Sequence, residues 1–486
     1  METSQQGTET VKLWDARVAG ALHSSKRSFS VSSPVTGHVV ANVVSCGREQ
    51  VLLAIEGACL ASHHWRRIDS GRRTSILQRW GDLISRDAEL LSSTVTLETG
   101  KPLREARAEV SEAIAYAGRC SEVSRFADTV TCTGQLGGPQ TFSRVEGIGT
   151  VLAVTTWCQP VLNIVRRAAL ALASGCQLIV KPSSRAPLAA LMLADLWSEA
   201  GGPMGTFQVL PSEDPLTVVG TCLRDPRIRL LAFTGSNEVG QHLARQCIET
   251  GTAIIRDVDG LRPIVVLPDA DLTRAADAII SCSFLRNSGQ DCTSANTLFV
   301  HEDVAERLLG MLRAKVQRLR QGDPRDPEVQ MGPLVDSVAL TLLREQIEDA
   351  VDSGAQLVVG GGKGEGLRIV PAILDRVRPE MAVATGEHRG PVLPTIRFAD
   401  RERFLVSPIA ATKGTTAWVW SADLAQAAEV AEELSYDRVW INDVGHAMLD
   451  HTGLMFGRGS PWLQAFENSP YLKATHHTFG YLGRLN

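Results

Sequence analysis

The chain has 486 residues, 44% hydrophobic and 21% charged, enough to fold throughout into two sizeable lobes and far from the composition of a disordered chain. Its 49 Lys and Arg against 54 Asp and Glu leave a net charge of −5, which gives no ground for a nucleic acid or an anionic membrane surface as partner. The ten cysteines show neither Cys-x-x-Cys nor a zinc-type Cys/His spacing, and there is no apolar run of about 18 residues and no basic-then-apolar N-terminus, so the expectation is a cytoplasmic protein with no metal site, disulfide framework or membrane span.

From Gln50 to Phe126 apolar residues recur three and four apart, with Ile76-Leu77, Trp80, Leu83-Ile84 and Leu90-Leu91 on one face, which predicts a helical stretch. From Gly149 the texture changes. Thr150 to Val154 reads as a buried strand, a helix runs through Ala168 to Ala173, and Leu178 to Val180 is a second strand. Alternation continues through Gln208–Leu210, Leu230–Phe233 and Ala253–Ile255. Such a βαβ array implies a parallel sheet with helices on both faces and a ligand crevice at the carboxyl ends of the strands.

A second alternating block begins at Pro263 to Leu267, with helices over 270–285, 302–320 and 336–353 and strands near Thr297–Val300, Gln356–Val359 and Trp418–Trp420. The boundary between the blocks falls near Gly260. The glycine-rich run 360–366 lacks the Gly-Lys-Ser/Thr ending of a phosphate loop and reads as a turn before a strand over Arg368–Leu374. Segments 135–151 and 470–486 are β-prone arms.

Asn287 to Cys292 forms a polar, Gly-containing turn after a helix carrying Ala276, Ile280 and Phe284 at four-residue spacing. A cysteine near backbone N–H groups on such a turn can have its thiolate stabilised and act as a nucleophile. On composition alone a small buried residue is the commoner outcome.

Several stretches resemble the aldehyde dehydrogenase superfamily in order and spacing: Glu98-Thr99-Gly100-Lys101-Pro102, Thr156 to Pro160, Lys181 to Ser184, Phe233 to Ser236, Asn287 to Cys292, Gly322-Asp323-Pro324 with Met331 to Leu334, and Glu387 before Gly390-Pro391-Val392. Each is weak alone; their collinearity over roughly residues 30–445 carries the resemblance. It implies an α/β fold with a Rossmann-type dinucleotide-binding domain (1–134 and 152–260), a second α/β catalytic domain (261–460) and a small β oligomerisation arm (135–151 and 470–486). It implies Cys292 as the nucleophile and NAD(P)-dependent oxidation of an aldehyde through a thiohemiacetal and thioacyl enzyme. It also implies cofactor contacts at Trp157, Lys181, Ser184, Arg185, Gly235, Ser236 and Glu387, and a homodimer or homotetramer.

Ser184 stands where NAD-preferring relatives usually carry a glutamate. Without that carboxylate, and with Arg185 beside it, a 2′-phosphate is tolerated, which favours NADP over NAD. Other positions depart from the family. Cys158 replaces an asparagine that holds the oxyanion, leaving Gln159 or a water as substitute. Asp257 stands where a glutamate activates the hydrolytic water. Pro211 to Asp214 lacks glycines and adds two negative charges, Arg389 replaces an aromatic, and the substrate-side motif is only echoed in Phe456 to Ser460. These departures keep two alternatives open: an acyl-transferring or reductive variant, and a catalytically silent scaffold.

Overall fold

The computed structural model describes residues 12–123, 130–134, 140–258, 260–385, 388–401, 404, 414–445, 470 and 472–479. Glu387 and the segment Phe456 to Ser460 lie outside them. The architecture is mixed α/β, with two seven-stranded sheets and two three-stranded ones.

The first large sheet runs in the order Ala253–Val258, Ile228–Gly235, Thr150–Val154, Gln177–Lys181, Phe207–Val209, Ala16–Val18, Ala21–His23, and its first five strands are parallel. Helices cover both faces, so strand residues such as Leu178, Ile179 and Val180 are buried on either side and read as an unbroken apolar run. The chain leaves Thr150–Val154 toward one edge and later returns to its other side at Ile228–Gly235. That reversal makes a crevice at the strands' carboxyl ends, the place where α/β sheets bind ligands.

The second large sheet runs Gln356–Val359, Ala372–Asp375, Val392–Phe398, Thr297–His301, Pro263–Val266, Ala417–Trp420, Val439–Ile441. It is parallel except at the edge, where Gln356–Val359 pairs antiparallel with Ala372–Asp375. The glycine-rich run is a turn, and the strand after it begins at Ala372 rather than Arg368, because Ile369 is diverted into an isolated bridge with Lys363.

The predicted helical stretch divides into Arg48–Trp65, Ser70–Arg86, Ala88–Thr99 and Leu103–Val123. Asp69 accepts from Arg72 N–H to start the second, and Gly100, at φ 74°, ends the third. Trp80 meets Trp197 edge-on at 5.7 Å between ring centroids, and Trp197 meets Trp65 at 5.8 Å, anchoring these helices to Leu188–Glu199.

One boundary is corrected. Val130–Gly134, counted above with 1–134, does not join the first sheet: it pairs antiparallel with Gln140–Gly147, which also pairs with Leu472–Phe479. Antiparallel neighbours close in sequence satisfy each other's backbone groups first. The short strands between Leu13 and Val44 were not predicted; most are two or three residues long, although Ser28–Ser32 does alternate, with Phe29 and Val31 buried.

Candidate active site

The nucleophile candidate sits on a turn in an unusual conformation. Asn287, Ser288 and Gly289 have φ of 48°, 55° and 73° in succession, and a Cβ at Gly289 would lie 2.4 Å from the Gly390 carbonyl oxygen. Left-handed non-glycine residues persist only where surrounding bonds fix them. Here Asn287 N–H donates to Glu105 (2.6 Å), Ser288 Oγ to the Gly332 carbonyl (3.1 Å), and Gln290 Nε2 to the carbonyls of Asn287 and Pro333 (both 3.1 Å), while Gln290 Oε1 accepts from Val335 N–H (2.9 Å). These bonds aim the next two residues, Asp291 and Cys292.

Cys158 precedes the helix Pro160–Ala173. Lys101, buried and paired with Glu109, donates to the Cys158 carbonyl (2.7 Å), and Glu109 in turn accepts from Val161 and Leu162 N–H at the helix start. In the same motif Glu98 accepts from Leu188 and Ala189 N–H. The segment Glu98 to Pro102 is therefore a girder for the site rather than a reacting part.

Cys158 and Cys292 line one cavity and pack into one small cluster. The interaction of the two thiols pushes Cys292 up and Cys158 down, with burial and the charges of Asp291 and Asp257 raising Cys292 further. The pair titrates as one unit, and ionising the second thiol is strongly opposed by the charge left by the first. Cys292 is not walled in. It is half-buried and faces two cavities.

The first of these is small and enclosed, lined by Cys158, Thr234, Gly235, Asp257, Arg262, Asp291, Cys292 and Arg389. The second, of about 420 Å³, opens outward and is lined by Cys292, Asp257, Trp418 and Trp440 together with five arginines, Arg166, Arg167, Arg256, Arg286 and Arg438. Asp257 pairs with Arg167 (3.4 Å), and Arg166 with Glu112 (2.6 Å). Burial and the neighbouring Arg166 charge push Arg438 down against the opposing pull of Asp437, which also lines this cavity.

A third cleft, about 590 Å³, lies at the carboxyl edge of the first sheet and reaches the catalytic turn through Arg389. Trp157, Lys181, Ser184, Arg185, Gly235 and Ser236 all line it. Thr155 Oγ1 and Trp157 Nε1 are buried with no hydrogen-bond partner among the described residues. Burial alone pushes Lys181 down to about 8, with no carboxylate offsetting it among the described residues. Ser236 precedes the helix Asn237–Thr250 without capping it through its side chain, which leaves the helix's first N–H groups for an anion.

Three expectations meet a different arrangement. Gln159 is not a spare amide for an oxyanion, because its Nε2 donates to both oxygens of Asp291 at 3.0 Å. Arg185 is already paired with Asp336 (2.5 Å), so a phosphate there has to compete with that carboxylate. The charge of Asp214 is directed to Thr217 at the start of Pro215–Leu223 and Asp214 does not line the cleft. Sequence reading also missed Arg166 and Arg167, although two arginines inside an otherwise apolar, buried helix were a visible signal.

The chain matches the aldehyde dehydrogenase family model over residues 22–467. It is 34% identical to the glutarate-semialdehyde dehydrogenase of Pseudomonas aeruginosa, with 86% of each chain covered. It is also 34% identical to the NADP(+) succinate-semialdehyde dehydrogenase of Escherichia coli, over 85% of this chain and 86% of that one. The crystal structure of succinate-semialdehyde dehydrogenase from Burkholderia pseudomallei superposes with a TM-score of 0.89 at 30% identity, covering 96% of this chain and 98% of that one.

Proposed function

The chain belongs to the aldehyde dehydrogenase family and is an NAD(P)-dependent oxidoreductase of aldehydes; from that premise we propose that its substrate is an aldehyde carrying an acid group and that Cys292 is the nucleophile. The observation that carries the substrate class is the arginine-lined cavity opening on Cys292. The names of the two relatives, glutarate- and succinate-semialdehyde dehydrogenases, support it.

In this reading the acid group enters among Arg166, Arg286 and Arg438 while the carbonyl carbon reaches Cys292. The thiolate adds to the carbon, and the field of Arg262 and Arg389 offsets the oxyanion that the replaced asparagine no longer holds. A nicotinamide dinucleotide bound in the large cleft supplies the hydride acceptor. Lys181 and the N–H groups after Gly235 and Ser236 would hold its ribose and phosphates, with Trp157 lining the same cleft. Asp257, which shares both cavities with Cys292, takes the proton of the water that releases the acid. Ser184 and Arg185 leave room for a 2′-phosphate, which favours NADP. The three-stranded sheet of Val130–Gly134, Gln140–Gly147 and Leu472–Phe479 is the arm through which a homodimer or homotetramer forms, checked by the mass that light scattering gives in solution. Nine unpaired cysteines among the described residues suit a cytoplasmic setting.

A substrate panel tests the reading. A charge-assisted contact contributes about 1.5–3 kcal/mol, so kcat/KM for an acid-bearing aldehyde should exceed that of a neutral aldehyde of equal length by about 10- to 100-fold, with the gap narrowing in Arg438→Ala. Equal rates for the two would contradict it, and a preference for NAD over NADP of more than about tenfold would contradict the reading of Ser184 and Arg185.

Lys181 gives a pH test. Its folded value, about 8, lies below that of an ordinary lysine, so the ammonium is present below that pH and lost as pH rises through it. Dinucleotide affinity in calorimetric titrations should weaken above about pH 8, and Lys181→Met should bind weakly with that slope removed. An unchanged slope in the variant would assign the titration to another group.

A further inference from the structure

Cys158 lines the catalytic pocket, and aldehyde oxidation leaves its thiol without a task. Its thiol and that of Cys292 face the same enclosed cavity and pack into one small cluster. The two sulfurs come from different elements, yet the residues beside them are tied together: Gln159 donates to Asp291 through two contacts of 3.0 Å. Thr156 Oγ1 lies 3.0 Å from Cys158 Sγ, and Asp291 also accepts from Thr293 N–H at 2.8 Å. These contacts tie together the residues beside the two cysteines, and both thiols open on one cavity. The open arginine-lined cavity reaches Cys292 from outside, so a small oxidant has a path.

We propose that Cys158 is a resolving thiol, and that the pair forms a reversible disulfide with a peroxide as oxidant. Cys292 passes its proton to the Cys158 sulfur, the Cys292 thiolate so formed attacks one peroxide oxygen, and the O–O bond breaks. Cys292 becomes a sulfenic acid, and the departing hydroxide takes a proton to leave as water. The Cys158 thiolate then attacks that sulfur, the S–S bond forms, and a second hydroxide leaves, again as water. Two thiols have lost two protons and two electrons, and hydrogen peroxide has become two waters. Without a neighbouring thiol the sulfenic acid is open to further, irreversible oxidation to the sulfinic acid. An asparagine at this position donates a hydrogen bond but cannot trap the sulfenic acid; a cysteine does the reverse. Opening the disulfide requires only exchange with an external thiol.

The effect on activity rests on the reading of Cys292 as the reacting sulfur; the cross-link itself does not. The full chain is treated with excess hydrogen peroxide and divided. One part is digested without reduction for peptide mass mapping, and the other is returned to dithiothreitol and assayed. The expected map links the Cys158 and Cys292 peptides with loss of two hydrogens, and dithiothreitol restores nearly all activity. In Cys158→Ser the link is absent, Cys292 carries sulfinic acid, and the recovered fraction of that variant's own starting activity falls at least about tenfold. Sulfinic acid on Cys292 of the wild-type protein without the link overturns the proposal, as does full recovery in Cys158→Ser. Should the variant not fold, the wild-type map decides alone. A link formed in a protein that oxidises no aldehyde would sink the catalytic reading and leave this one standing.

Discussion

Cys292→Ala should lower aldehyde-dependent formation of reduced nicotinamide by at least about 10⁴-fold, since removing a nucleophile that acts as part of a unit eliminates nearly the whole covalent route. The strained turn at Asn287 to Gly289 is held by bonds from Glu105, Gln290 and the Gly332 and Pro333 carbonyls, none of which involves the thiol. The variant should therefore fold, and its dinucleotide cleft, which lies across Arg389 from the sulfur, should bind with unchanged affinity in calorimetry. Loss of binding together with activity would indicate collapse of the site instead of loss of the reacting atom.

For Asp257→Asn the expectation is more selective. General-base help contributes typically about 10²–10⁴-fold, and the water it would activate acts only after the hydride has left the substrate. Stopped-flow absorbance should show a first turnover close to wild-type speed followed by steady-state turnover lowered by about 10²-fold or more. The Arg167 partner makes the control informative. Its guanidinium bonds both Thr234 (3.2 Å) and Asp257 (3.4 Å), so an asparagine keeps one neighbour for that arginine where an alanine would leave it with fewer bonds in a buried position. If first and later turnovers slow together, Asp257 holds the pocket and does not deprotonate water.

How far the sequence could be read follows from the range of the interactions involved. The parallel sheets announced themselves because strands buried on both faces must be apolar throughout, as in Leu178 to Val180 and Ile264 to Val266. Trp157, Lys181, Ser184, Arg185, Gly235 and Ser236 were implied by the family resemblance, and all of them line one cleft at the edge where a βαβ array brings the carboxyl ends of its strands. Pairings between distant side chains carried no such periodic signal. Nothing near Gln159 indicates that its amide is committed to Asp291, 132 positions away, nor that Arg185 meets Asp336. The convergence of Arg166, Arg286 and Arg438 on one cavity likewise needs three separate elements in place. Cys158 was legible as a departure, while its contact with Cys292 was not.

The most direct test of a nucleophilic Cys292 set between two clefts is chemical quench of Asp257→Asn with NADP and an acid-bearing aldehyde, followed by peptide mass mapping. The acyl group should appear on the Cys292 peptide, one per reduced nicotinamide formed in the first turnover, and only when both aldehyde and dinucleotide are present. Reduced nicotinamide accumulating with no acyl group on that peptide, or an acyl group on any other residue, would contradict the account.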